Sequence, residues 1–233
     1  MNRKIPFMIT LLLFWGTAMA DQQECSLVLS KPSLSWVMQT SEKAGGSTQA
    51  LVHALSQYAR CVDQSSQQMY AQLLKSGNYP LMGANASFRD FSSALKNFTD
   101  LALKLTATGG TWDNTQTAYV QLYQRQFKIL FYAEYSKDTS CSRLSGNTCK
   151  DTQNPLLKRL KNTKRPSLQE SKAYFEKIIQ RFPPTQRQAL THSFNQLSSI
   201  ASTENHFDES YIYNYAIFIL QSPADSSFSE PPF

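Results

Sequence analysis

Tyr211-Ile212-Tyr213-Asn214-Tyr215-Ala216-Ile217-Phe218-Ile219-Leu220 is the most apolar stretch of the chain beyond its first twenty residues. It is apolar nearly all round, so it lacks the periodicity that separates a buried helix from a buried strand. The choice decides the fold, because a strand needs partner strands and none is evident elsewhere. The stretch is therefore read as a central helix, capped by Asp208 and ended by Ser222-Pro223. Residues 223–233, rich in Ser and Pro, are expected to form a flexible tail.

Upstream, apolar residues recur at spacings of three and four, the period of an amphipathic helix. From Thr48 they fall at Leu51, Ala54, Leu55, Tyr58, Ala59, Val62, Met69 and Leu73, between Gly45-Gly46 and Gly77-Asn78-Tyr79-Pro80. A short helix over 33–43, with Leu34, Val37 and Met38 inward, precedes this one. Ser87-x-x-Asp90 has a capping-box pattern and predicts a helix carrying Phe88, Phe91, Leu95, Phe98, Ala102 and Leu105 as far as Gly109-Gly110. The next, capped by Thr111 or Asp113, presents Tyr119, Leu122, Tyr123, Phe127, Leu130 and Phe131 and runs to about Tyr135. The short connection predicts that these two lie antiparallel as neighbours. Ser167-Leu168-Gln169-Glu170 is another capping box, opening a helix with Leu168, Phe175, Ile178, Ile179 and Phe182 inward that Pro183-Pro184 stops. Thr185-x-x-Gln188 starts one more, with Leu190, Phe194, Leu197 and Ala201 inward. The expected architecture is all-α: a single domain over residues 21–222, built as a bundle of five or six helices.

The chain begins Met1-Asn2-Arg3-Lys4, continues with an apolar run from Phe7 to Trp15, and reaches Ala18-Met19-Ala20 before Asp21. Those are the zones of a cleavable secretory signal, with an A-x-A cleavage pattern. The apolar run is shorter than the roughly 20 residues a spanning helix needs, and so is the stretch at 211–220. Residues 1–20 are read as a removed leader, and no transmembrane segment is expected after cleavage. Cleavage takes away Arg3 and Lys4 and no acid, leaving 21 basic against 17 acidic side chains, a formal charge of +4. Export to an oxidising compartment, periplasmic or extracellular, predicts that the four cysteines pair. Cys141 and Cys149 flank the turn-forming Ser145-Gly146-Asn147 and are expected to join, leaving Cys25 to Cys61 by elimination. Two disulfides would then staple the bundle, one of them within a long loop over 138–166.

Charge is unevenly spread. From Lys150 to Arg187 there are ten basic residues and three acids, whereas from Gln188 onward there are five acids and no Lys or Arg. The densest cations, Lys158, Arg159, Lys161, Lys164 and Arg165, fall in the aperiodic loop and form the candidate binding residues. Their partner is expected to be an envelope or secreted protein, or an anionic envelope polymer. Nucleic acid is not expected for an exported chain.

Glu204, His206 and Asp208 form the candidate metal set, since carboxylates around an imidazole are ligand types of zinc or manganese. Acids at Asp208 and Glu209 are also what a helix N-terminus attracts, and no HExxH spacing is present. Capping is the favoured reading. Glu209-Ser210 is similar, over two residues, to the Glu-Ser pair at the catalytic helix of lytic transglycosylases. The glycine-containing motif that follows it in that family is absent, so the pair assigns no family. The sequence holds no G-x-S-x-G, no phosphate-binding loop and no C-x-x-C-H. The expectation is a binding or interaction module without a cofactor; the alternative is a metal- or carboxylate-dependent hydrolase acting on a cell-envelope substrate.

Overall fold

A computed structural model describes residues 24–75, 81–107, 109, 112–140, 156, 166–203 and 208–221. Among them every regular element is helical: α1 Ser33–Lys43, α2 Thr48–Lys75, α3 Leu81–Thr106, α4 Trp112–Ser140, α5 Leu168–Ile179, α6 Pro184–Thr203 and α7 Glu209–Gln221. A further helical segment at 24–29 precedes α1. The all-α reading holds. The buried apolar side chains form one continuous core.

The apolar C-terminal stretch is a helix at the centre of that core. Ten of the thirteen residues of α7 are buried. The Tyr215 ring stacks on Phe127 of α4 at 4.6 Å, and Phe218 meets Tyr123 edge-on at 4.4 Å. Thr99 of α3 donates its hydroxyl proton to the Leu95 carbonyl at 2.6 Å, so at 2.7 Å the Tyr215 hydroxyl must be the donor to Thr99 Oγ1. Complete burial pushes the Tyr215 phenol far above its ordinary range, keeping it a neutral donor. On the other side Phe194 of α6 lies between Phe175 of α5, at 4.2 Å, and Tyr213, at 4.8 Å.

Local signals explain the helix ends. Gly45 and Gly46 adopt φ of 98° and 67°, left-handed values that let the chain reverse after α1, and Ser47 then accepts the Ala50 N–H at 3.1 Å to cap α2. Ser167 and Glu170 form the reciprocal capping box of α5. The two donors on Ser167 hold the exposed Glu170 carboxyl below its ordinary value. Gly109, at φ 78°, ends the α3 turn, and its N–H donates to Asp113 Oδ2 at 2.8 Å.

Several boundaries differ from the expectation. α3 opens at Leu81, placing Ser87 and Asp90 inside the helix, because nothing between Pro80 and Ser87 breaks a helix strongly enough to delay it. α4 runs beyond Tyr135 to Ser140, and Asp113 lies within its first turn, where its Oδ2 accepts the Gly109 N–H. α6 starts at Pro184, whose fixed φ suits a first helical residue, while the Pro183 carbonyl accepts the Arg187 N–H at 2.8 Å. Met38 is exposed, and Trp36 turns inward in its place to pack 5.7 Å from the Tyr58 ring.

α3 and α4 do lie antiparallel: Phe91 stacks on Phe131 at 3.6 Å, Thr99 meets Gln124 at 3.5 Å, and Gly109 meets Asp113, so residue numbers rise along one helix as they fall along the other. Their most extensive partners are elsewhere, however. α4 packs most fully against α2, α3 against α6, and α5 against α7.

One disulfide, Cys25–Cys61, joins the N-terminal segment to α2 across 36 residues. Beside it the Tyr58 hydroxyl donates to the Lys31 carbonyl at 3.0 Å. Cys141 and Cys149 lie outside the described residues, as do the leader at 1–20 and the tail at 223–233. Closing a loop of this size predicts that the Cys25→Ala, Cys61→Ala double variant loses about 4 kcal/mol of stability in urea unfolding. Tyr215→Phe, which removes one buried donor, is expected to cost about 1 kcal/mol and lower Tm by about 2–4 °C in thermal unfolding.

Candidate binding site

The cations singled out in the sequence, Lys158, Arg159, Lys161, Lys164 and Arg165, lie outside the described residues. Two positions before the first of them, Leu156 is completely buried in the core. Sequence reasoning missed this anchor, since a single core leucine in an aperiodic stretch leaves no repeat to detect.

Of the candidate metal set, Glu204 and His206 also lie outside the described residues. Asp208 Oδ1 accepts the Ser210 N–H at 2.9 Å and so caps α7. Glu209 pairs with Lys172 of α5 at 3.2 Å, and that ammonium stands 5.5 Å over the Tyr213 ring. These acids occupy the positions where the unpaired N–H groups of a helix start favour negative charge. Among the described residues no group of three or more His, Cys, Asp or Glu could hold a metal ion. His53 and His192 are exposed.

The structure brings together a different group. Along the seam where α2 packs on α4, a trough of about 340 Å³ opens to solvent. It is lined by small side chains, the exposed Ser56 and the buried Ala59 of α2 and the half-buried Ala118 of α4, beside the buried Leu55. Small residues facing each other across a helix pair leave space that larger ones would fill. The walls carry Arg60, Asp63, Gln64 and Gln67 from α2 and Gln121 and Arg125 from α4. Spacings of three and four on both helices place each set on one stripe.

Arg125 Nε donates to Asp63 Oδ2 at 3.0 Å, with both side chains partly buried. Lys128, one turn further along α4, acts on the same carboxylate. Burial raises the Asp63 carboxyl above its ordinary value although Arg125 and Lys128 both pull it down. Burial likewise lowers the Lys128 ammonium, with Asp63 opposing and Arg125 reinforcing the shift. An acid raised and a base lowered on folding have the same meaning: the charged form is held at a cost to stability. For Asp63, stability falls as pH rises from the unfolded carboxyl value through the raised folded one. For Lys128, stability rises as pH climbs from its lowered folded value toward the ordinary lysine value. The seam thus keeps charge against its desolvation cost in a concave polar setting.

Of the remaining polar trough groups, the Ser56 hydroxyl donates to the Val52 carbonyl at 2.9 Å, and the others have no partners among the described residues. Arg60 makes no ion pair, and the amides of Gln64, Gln67 and Gln121 make no hydrogen bond. The polar stripe of α2 was present in the sequence opposite its apolar face, but its counterpart on α4 is visible only once the two helices are paired. Compared with family models, curated proteins and solved structures, the chain matches none of them.

Because desolvation is the largest influence on Lys128, Lys128→Met, which keeps the aliphatic stem and removes the charge, is expected to have a Tm at or above that of the parent at pH 7. A fall of several degrees in thermal unfolding would show that its charge contributes net stability.

Proposed function

We propose that this chain is an exported helical binding module, periplasmic or secreted, that captures an anionic envelope or secreted partner through cationic surface. The observation that carries the reading is the α2–α4 trough, where Arg125 and Lys128 act on the half-buried Asp63 carboxylate, Arg60 lines the same seam, and the amides of Gln64, Gln67 and Gln121 have no hydrogen-bond partner among the described residues. The cation-rich run at 158–165 adds long-range attraction of the same sign, starting just after the buried Leu156. Export is supported by the leader pattern and by the Cys25–Cys61 bond, which belongs to an oxidising environment. A second bond, Cys141–Cys149, belongs to this proposal, as does a five- or six-helix bundle as the functional unit. The hydrolase alternative draws less support, since Asp208 and Glu209 serve the start of α7.

Expressed with its leader in a bacterium, the chain is expected in the periplasm with Asp21 as its first residue and no titratable thiol. Recovery from the cytosol with residues 1–20 attached and four reactive thiols overturns export. The mature chain is expected to retain a partner from an envelope extract at low salt, release it in about 0.5 M salt, and lose it when Lys158, Arg159, Lys161, Lys164 and Arg165 are all changed to Gln. Capture that ignores both salt and these substitutions overturns the anionic-partner reading.

A further inference from the structure

We propose that the α2–α4 trough binds an extended, acidic peptide segment of the partner, a refinement that rests on the binding-module reading. Shape is the first argument. The stripe from Ser56 to Gln67 covers eleven residue steps, about 16 Å along a helix, which matches about five residues of extended chain. The small side chains of Ser56, Ala59 and Ala118 along the trough allow a second backbone to approach closely.

Chemistry is the second argument. An extended backbone presents alternating N–H and C=O groups, and each glutamine amide offers both a donor and an acceptor. Gln64, Gln67 and Gln121 carry such pairs along the seam with no partner among the described residues. Arg60 has no ion-pair partner among the described residues, and Asp63 engages Arg125 through Nε, leaving the outer guanidinium nitrogens of both as carboxylate-binding forks. Successive side chains of an extended peptide point to opposite faces, so acids at alternate positions would all turn toward these two arginines. Asp63 then has a definite role: it fixes the Arg125 guanidinium in place and repels acids placed out of register, which supplies orientation as well as affinity.

The probe is a fluorescently labelled six-residue peptide alternating glycine and glutamate, titrated into the mature chain and followed by polarisation. Saturable binding is expected, lost for the glutamine analogue of the peptide and weakened about tenfold or more by Arg60→Glu. Arg60 is exposed and has no ion-pair partner among the described residues, so its reversal leaves the fold intact by circular dichroism. Lys177→Glu, an equal charge change on the exposed face of α5, is expected to alter affinity less than twofold. The proposal is overturned if the peptide does not bind, if both variants weaken it equally, or if a sulfated tetrasaccharide competes through Arg60 more strongly than the glutamate peptide. If the peptide fails while salt-sensitive envelope capture persists, the binding-module reading stands and only the trough assignment falls. Peptide binding through Arg60 without envelope capture has the reverse meaning.

Discussion

A helix buried around nearly its whole circumference must satisfy its backbone internally and find an apolar surface in every direction. α7 imposes that demand on the rest of this molecule. α3, α4, α5 and α6 all contribute side chains to it, and the partners are large: Phe127, Tyr123, Phe175 and Phe194 reach it through their rings. Aromatic groups carry more buried area per residue than aliphatic ones, so a short helix with four such neighbours can centre a core. The polar atoms admitted there are handled individually. Tyr215 is tied to Thr99, and the Ser171 hydroxyl donates to Asn214 Oδ1 at 3.0 Å. Gln126 of α4 is wholly buried, and neither of its amide atoms has a hydrogen-bond partner among the described residues, which costs stability.

A second assembly is built on α2. Cys25–Cys61, the Tyr58 to Lys31 hydrogen bond and the Trp36 to Tyr58 ring contact all hold the N-terminal segment and α1 on one side of α2, leaving another side for α4. α4 thus serves two neighbours at once. Its Phe127 and Phe131 look toward α3 and α7, while Ala118, Gln121 and Arg125 border α2. This double duty explains why α4 is buried around most of its girth over residues 113–131 although it carries many polar residues there. It also explains why the exposed part of its contact with α2 is polar and furrowed: the stripe left over for the seam holds an alanine, a glutamine and an arginine. The seam therefore keeps the Asp63 and Lys128 charges half-buried at a cost.

The α2 to α7 pattern of helices follows from residues that act locally. Apolar spacing of three and four, the Ser167 to Glu170 capping box, the Gly45-Gly46 reversal and the Asp208 cap each operate within a few positions, so each could be read before any tertiary contact was known. Even the C-terminal stretch, ambiguous by periodicity, yielded to the absence of an evident strand to pair with it. The boundaries that moved did so for equally local reasons. Ser87 has capping chemistry, but a helix that has already begun at Leu81 has no orphan donor for it to satisfy.

Four cysteines and an export pattern determined, from sequence alone, that covalent cross-links were to be expected, and elimination proposed the Cys25–Cys61 partnership that the fold contains. Which helix faces which was decided only in three dimensions. The chain order placed α3 beside α4, and they do touch, yet α4 gives its broadest contact to α2 and α3 gives its own to α6. Helical periodicity specifies a face, and the partner that best fills that face is fixed by the shapes of all the others at once. The meeting of Asp63 with Arg125 across 62 positions of chain, and the burial of Leu156 just before a basic run of sequence, are consequences of that collective fit and have no local signature to read.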